Sequence, residues 1–151
     1  MQFENHAPIR YAQTIELPYS PTQMFDLVAN IERYPEFLDE YRQAIIRSRK
    51  GNTLEVEQVI ALPIINLTLK AIATLMRPES IVVRSSQSLL GEMEISWKFS
   101  AIAQGARVDF NMSLNPPSSF GAGLAEFLMS NSAARTLQSF AERASKLYRT
   151  D

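Results

Sequence analysis

The feature that most constrains the fold is a long region in which apolar and polar side chains alternate. Six segments between residues 41 and 114 show this period of two, and turn-forming residues separate them. They predict strands at 41–49, 54–62, 67–76, 81–88, 92–101 and 106–114. An earlier segment, 9–17, alternates in the same way and predicts one more strand. One apolar and one polar face per strand predict an antiparallel sheet that is covered on one side only.

The cover for the apolar face is predicted from the C-terminal part of the chain. After Asn115-Pro116-Pro117 the apolar period returns to 3.6, which predicts a helix over residues 119–149. Such a helix would be roughly 45 Å long, against about 30 Å for a nine-residue strand, so it must overhang the sheet or bend. The expected place for a bend is Ser130–Ser132.

Two short helices are expected after the first strand. Ser20-Pro21-Thr22-Gln23 has the arrangement of a capping box with proline at the first helical position, and an apolar stripe follows it. Pro35 must disturb any continuation, so a second short helix or turn is expected over 31–38. We therefore predict an α+β fold in one domain, residues 1–151, with a curved antiparallel sheet of about seven strands wrapped around a long C-terminal helix.

The composition excludes several classes of function. The chain of 151 residues has no cysteine and one histidine, His6, which excludes disulfides, thiol nucleophiles and zinc sites built on cysteine or several histidines. We expect no metal, no cofactor and no catalytic residue. The net charge of −1 lacks the basic excess of nucleic-acid-binding proteins, so no nucleic acid is expected as a partner.

The ends of the chain and its apolar runs bear on where the protein acts. Residues 1–6 do not have the pattern of a signal peptide, and the longest apolar run, Val59–Ile65, is far shorter than the ~20 residues that span a bilayer. We expect a soluble, cytoplasmic protein, or one that is peripheral to the inner membrane. The sequence does not fix the oligomeric state.

The turns at the two ends of the predicted sheet differ in polarity. One end carries the polar turns 50–52, 77–80 and 104–105, and the other carries the apolar turns 62–66, 88–91 and 116–120. Loops normally lie in water, so apolar turns need an explanation. Either they form the lip of an apolar pocket, which could also contact a membrane surface transiently, or they fold back and close the core. The candidate lip residues are Ile64, Ile65, Leu89, Leu90 and Phe120.

Further candidates would contact a ligand inside the pocket, and the apolar ones are Trp97, Phe110, Leu124, Phe127 and Leu128. Asn131 is expected to face inward, where its amide needs a partner, either a ligand, a water or a backbone group at the helix bend. Arg135 could anchor a carbonyl or carboxylate at the mouth, or could simply be exposed. Gln58 and Gln87 are weaker candidates of the same type as Asn131.

Several stretches resemble one protein family in order and spacing. Residues 19–38, 93–99, 106–110 and 139–148 look like the first helices, later strands and last helix of the coenzyme Q-binding protein family. That family is a branch of the START-like, or polyketide cyclase/dehydrase (SRPBCC), superfamily. The resemblance implies a helix-grip fold with a deep apolar cavity and the binding or carriage of a lipid or quinone. The chain departs from the family pattern at Asp39-Glu40-Tyr41 and at Ser88–Gly91, both at the predicted lip.

Three functions remain open. The first is a non-enzymatic binding protein or carrier for an apolar small molecule, such as an isoprenoid quinone or a lipid, and burial of a long apolar tail would supply its affinity. The second is an aromatase/cyclase-like enzyme, a cyclase or dehydrase, which needs polar side chains that converge inside the cavity. The third is an interaction protein like the ribosome-association toxins of the superfamily, which would usually need a basic surface.

Overall fold

The described part of the chain forms one curved sheet of seven antiparallel strands. The structure, a computed structural model, describes residues 8–86 and 89–148. The strands are β1 (Ile9–Leu17), β2 (Tyr41–Lys50), β3 (Thr53–Ala61), β4 (Asn66–Met76), β5 (Ser80–Ser85), β6 (Glu92–Ile102) and β7 (Gly105–Asn115). Strands β2 to β7 follow one another as a meander, and β1 pairs with β7 to complete the order β1-β7-β6-β5-β4-β3-β2.

The alternation in the sequence explains which face of each strand is buried. In β7, Val108, Phe110 and Met112 are buried, while their neighbours Arg107 and Asn111 are exposed. Strand β2 departs from this regularity, because its pairing with β3 shifts between Tyr41 and Gln43 and again between Ile46 and Ser48. Such bulges bend a strand and increase its twist. They lie in β2, an edge strand of the sheet.

The short helices follow β1 as predicted. Helix α1 (Pro21–Ala29) begins with a capping box, in which the Gln23 backbone N–H donates to Ser20 Oγ at 3.0 Å and the Ser20 N–H donates to Gln23 Oε1 at 2.9 Å. A 3₁₀ helix (Ile31–Glu36) comes next and contains Pro35. The Pro35 ring is tolerated there because the 3₁₀ helix is short and needs few backbone N–H donors.

The concave face of the sheet packs against a C-terminal helix of 29 residues. This helix consists of α2 (Ser119–Phe127), a π-helical segment (Leu128–Ala133) and α3 (Ala134–Leu147). Ser118 caps its start by accepting a hydrogen bond from the Gly121 N–H at 3.1 Å. The expected bend site, Ser130–Ser132, lies within the π-helical segment.

Most predicted boundaries lie within two residues of those in the structure, and the end of β5 differs by three. Strand β5 ends at Ser85 rather than at residue 88, because its pairing with β4 stops at Ala71 and Ser85. Residues 87 and 88 lie outside the described residues, as does residue 149 at the predicted end of the helix.

No helix in the described ranges is both long enough and apolar enough to cross a membrane.

Candidate ligand-binding cavity

Two small cavities lie next to each other between the concave face of the sheet and the C-terminal helix. Their volumes are about 40 Å³ and about 50 Å³. We call the first the outer compartment, since Ile60 and Met93 near the apolar turns line it, and the second the inner compartment. The residues that line both are Tyr41, Gln58, Ile95, Met112 and Thr136. This shared wall makes the compartments two parts of one interior site.

Aromatic rings form much of the inner compartment. The Trp97 ring lies 4.7 Å from that of Phe110 and 5.0 Å from that of Phe140, measured between centroids. Tyr34 completes the group at 5.4 Å from Phe140, and its hydroxyl donates a 2.5 Å hydrogen bond to the Val28 carbonyl. These rings fix a rigid apolar wall, because edge-to-face contacts at such distances hold each ring against its neighbours.

Gln58 places a polar group on the apolar wall. It lies on the inward row of β3 between Val56 and Ile60, and only 6% of its surface is exposed. Its side-chain amide makes no hydrogen bond to any of residues 8–86 or 89–148. Buried polar side chains nearly always have a partner, so an amide without one is a specific feature of this wall.

Tyr41, the first residue of β2, also lines both compartments. Its ring lies 5.4 Å from that of Tyr34, nearly perpendicular to it. Burial raises the pKa of the Tyr41 phenol to about 12, and the charge of neighbouring Glu40 adds to this effect. The phenol is therefore neutral over the physiological range and can both donate and accept a hydrogen bond.

A charged cluster closes one side of the outer compartment. Arg135 Nη2 donates to Glu40 Oε2 at 2.7 Å, and Ser132 Oγ lies 3.3 Å from the same oxygen. Arg135 Nε donates to the Asn131 carbonyl at 2.7 Å, while Thr136 Oγ1 donates to the Ser132 carbonyl at 3.0 Å. The cluster connects the turn before β2 to the π-helical segment, and it leaves the Glu40 carboxylate paired.

The structure brings some of the predicted pocket residues to the cavity. Trp97 and Phe110 line the inner compartment, and Leu128 lines the outer one. Leu90 and Leu124 are buried in the surrounding core, and Ile65 is partly buried against it. Arg135 lies at the rim, bonded to Glu40.

The expected inward orientation of Asn131 and Phe127 is wrong. Asn131 is exposed, and its amide donates to the Phe127 carbonyl at 3.1 Å. Phe127 is 39% exposed. The physical reason is the π-helical segment, in which the wider turn brings Ser132 and Ala133 to the interior instead. The ligand-binding role of each residue named from the sequence stays a prediction.

Four large apolar side chains are exposed on two connections at the apolar end of the sheet and on α2, which follows the third connection at that end. They are Ile64 at 70%, Leu89 at 37%, Phe120 at 48% and Phe127 at 39% exposure. The Leu89 backbone approaches α2 closely at Gly121, the residue after Phe120: a Cβ there would lie 2.1 Å from the Leu89 carbonyl oxygen. We call these four side chains the apolar rim.

Sequence reasoning found Gln58 but missed other polar groups of the cavity. Gln58 is visible as a polar residue on an otherwise apolar alternate row. Tyr41 is missed because the bulges of β2 destroy the alternation that would place it. Ser132 and Thr136 are missed because a regular 3.6 period places Asn131 and Arg135 inward. Gln87 lies outside the described residues.

Comparisons with known proteins agree with this architecture. The family model described as polyketide cyclase/dehydrase and lipid transport matches residues 17–141. The chain belongs to this family.

Among the residues that the structure describes, no group of three or more His, Cys, Asp or Glu side chains could hold a metal ion.

Solved structures extend the likeness over almost the whole chain. The Zhui aromatase/cyclase from Streptomyces sp. R1128 superposes with a TM-score of 0.84 at 10% identity, covering 95% of this chain and 97% of that one. A START superfamily protein from Mycobacterium smegmatis gives 0.79 at 11% identity, covering 91% and 98%. An 18 kDa protein from Caulobacter crescentus gives 0.75 at 22% identity, covering 94% and 99%.

At these identities the likeness shows the fold. The helix-grip prediction is confirmed by the fold, and the assignment to the polyketide cyclase/dehydrase superfamily is confirmed by the family match over residues 17–141. The narrower resemblance to the coenzyme Q-binding branch stays a prediction.

Proposed function

We propose that this member of the polyketide cyclase/dehydrase and lipid transport family binds or carries an apolar small molecule, such as an isoprenoid quinone or a lipid, between the sheet and the C-terminal helix. The observation that carries the proposal is the pair of joined compartments, whose walls are mainly aliphatic and aromatic. Ligand pockets typically combine such walls with a few polar groups that orient the ligand.

Binding requires the walls to part. Each compartment, at about 40 or 50 Å³, is far smaller than the ~300–1,000 Å³ of typical ligand pockets. The π-helical segment is a natural place for this movement, because π-helical turns are less stable than α-helix and occur often at functional sites. The salt bridge between Glu40 and Arg135 would have to adjust when the helix moves away from the turn before β2.

The apolar rim supports entry at the apolar end of the sheet. Exposed apolar side chains that cluster around a cavity often mark a ligand entrance or a membrane contact. In this proposal the rim passes an apolar ligand from a membrane surface or a partner into the outer compartment, which lies at the same end.

Native mass spectrometry of the protein purified from its native host, followed by organic extraction, tests the proposal. We expect an apolar molecule in a stoichiometric amount. A protein that carries no such molecule, and that also fails to bind added quinones and fatty acids, would overturn the proposal.

An aromatase/cyclase-like enzyme is the second candidate, and the cluster of Glu40, Ser132 and Arg135 favours it. These side chains, with the neutral phenol of Tyr41, are polar groups that could orient the carbonyls of a polyketone beside the cavity. Conversion of a reactive polyketide chain by the purified protein, with the rate reduced in Glu40→Gln, would support this candidate. An uncyclised chain recovered intact would reject it.

A further inference from the structure

Gln58 and Tyr41 together present unused hydrogen-bonding groups to the same interior space. Both residues line both compartments, on the neighbouring strands β3 and β2. Neither the Gln58 amide nor the Tyr41 hydroxyl bonds to a residue in the described part of the chain. A carboxamide offers two N–H donors and a carbonyl acceptor, and a phenol offers one O–H donor and acceptor sites. Each of the two residues can therefore offer a hydrogen bond to a ligand in this space.

The charges around the compartments decide which kind of oxygen fits. Glu40 is the one charged residue among the described residues that line them. Its carboxylate is paired with Arg135, whose side chain is 62% exposed and also bonded to the Asn131 carbonyl. A carboxylate ligand would meet no available cation here, and it would lie near the negative charge of Glu40. Burying an anion without a partner is strongly unfavourable.

We propose that Gln58, assisted by Tyr41, recognises a neutral oxygen of the ligand, a carbonyl or a hydroxyl, and that the site discriminates against carboxylates. This inference rests on the proposed function and narrows it to apolar ketones, quinone-like carbonyl compounds, alcohols or sterol-like molecules. Gln58 is thus a specificity-determining residue, whereas the aromatic wall supplies the affinity for the apolar body of the ligand.

The single tryptophan of the chain provides the readout. Trp97 lines the inner compartment, so its fluorescence responds to a molecule that enters the cavity. The probes are octane, octanol, octan-2-one and octanoate, which share one chain length and differ in the head group. In the wild-type protein we expect the ketone and the alcohol to bind about tenfold more tightly than octane, the effect of one or two hydrogen bonds. We expect octanoate to bind more weakly than the ketone.

Two variants test the roles of the residues. Gln58→Met keeps the length of the side chain and removes its hydrogen-bonding groups, so the ratio of ketone affinity to octane affinity should fall to about one while octane affinity is retained. Tyr41→Phe should reduce the same ratio by a smaller factor. Gln138→Met, a matched change at an exposed position of α3, should leave the ratio unchanged. Circular dichroism confirms that each variant is folded. If Gln58→Met does not fold, the affinity ratio of Tyr41→Phe is the test of the inference.

The outcomes separate this inference from the proposed function. Three results would each overturn the inference while leaving apolar binding intact. They are equal affinity for octane and the ketone in the wild-type protein, octanoate as the tightest ligand, and an unchanged ratio of ketone affinity to octane affinity in both Gln58→Met and Tyr41→Phe. Failure of all four probes to bind, together with the absence of a co-purified apolar molecule, would overturn the proposed function and the inference with it.

Discussion

Replacing Gln58 with methionine should stabilise the protein, although most substitutions at buried positions destabilise. Gln58 is 6% exposed and lies between two apolar residues of its row. Leaving a fully enclosed amide unpaired costs ~1–3 kcal/mol. Among the described residues Arg143 Nε is the one fully enclosed side-chain atom without a partner, so the Gln58 amide keeps some accessible surface and its cost is at the lower end. Methionine fills a similar volume without that cost. A cavity of about 50 Å³ has room for a water molecule that satisfies part of the amide. We therefore expect the lower half of the range, an increase of ~1–2 kcal/mol in the free energy of unfolding.

Urea unfolding followed by Trp97 fluorescence and by circular dichroism measures this change. For a chain of this size each 1 kcal/mol corresponds to roughly 2–4 °C in Tm, so thermal unfolding provides a second measurement. The control Gln138→Met, at an exposed site, should stay within ~0.5 kcal/mol of the wild type. A Gln58→Met protein that is clearly less stable than the control would show that the amide has a stabilising partner. That result would refute the reasoning about both stability and specificity.

The stability of Gln58→Met and its ligand preference should change in opposite directions. The same unpaired amide that costs folding free energy is the group that we expect to recognise the ligand. Binding sites commonly show this trade-off, because a group held ready for a ligand is not satisfied by the protein itself. A variant that gains stability and keeps its preference for the ketone would separate the two effects.

Three further predictions concern packing and charge. Phe140→Ala, which removes a buried ring from beside Trp97, should cost ~3–5 kcal/mol in urea unfolding, and a cost below ~1 kcal/mol would contradict the packing. Hydrogen bonds from Arg77 lower the pKa of the Asp26 carboxyl, so the ion pair should stabilise the folded state above the unfolded pKa of ~4 and lose this effect as the pH falls through the lower folded pKa. Because both side chains are well exposed, Asp26→Asn should lower the free energy of unfolding by no more than ~1 kcal/mol at neutral pH, and by less in high salt. Burial raises the pKa of Tyr41 to about 12, so its contribution to the free energy of unfolding should be complete below the unfolded pKa of ~10 and fall as the pH rises toward 12. Phenolate absorbance follows the titration. An equal loss of stability at alkaline pH in Tyr41→Phe would contradict this assignment.

The elements with local signals were predicted closely. Strand β1 was predicted over 9–17 and is observed over Ile9–Leu17, and the capping box at Ser20 begins α1 as expected. In β6 and β7 the apolar rows of the sequence are the buried rows of the structure. These signals are local, because each strand has one face toward the helix and one toward solvent.

The pairing of β1 with β7 has no comparable signal. The two strands are far apart in sequence, and their pairing makes β1 the edge strand opposite β2. Alternation shows which face of β1 is buried, but it does not identify the neighbouring strand. The neighbour is identified by the structure, in which Ile9 pairs with Leu114 and Leu17 pairs with Ala106. Such non-local pairing is a property of the whole fold.

The C-terminal helix shows why the polar part of the cavity could not be placed from a regular period. Its buried residues are spaced by four from Leu124 to Leu128 and Ser132, and by three and four in α3, at Leu137, Phe140 and Ala144. In an ideal α-helix four residues turn by about 400°, so each step drifts about 40° and the row would leave the sheet within a few turns. The wider π-helical segment takes up part of this drift and keeps the row inward. The spacing of four up to Ser132 thus accompanies an under-wound turn and an inward polar group at the same place, which a 3.6-residue template does not represent.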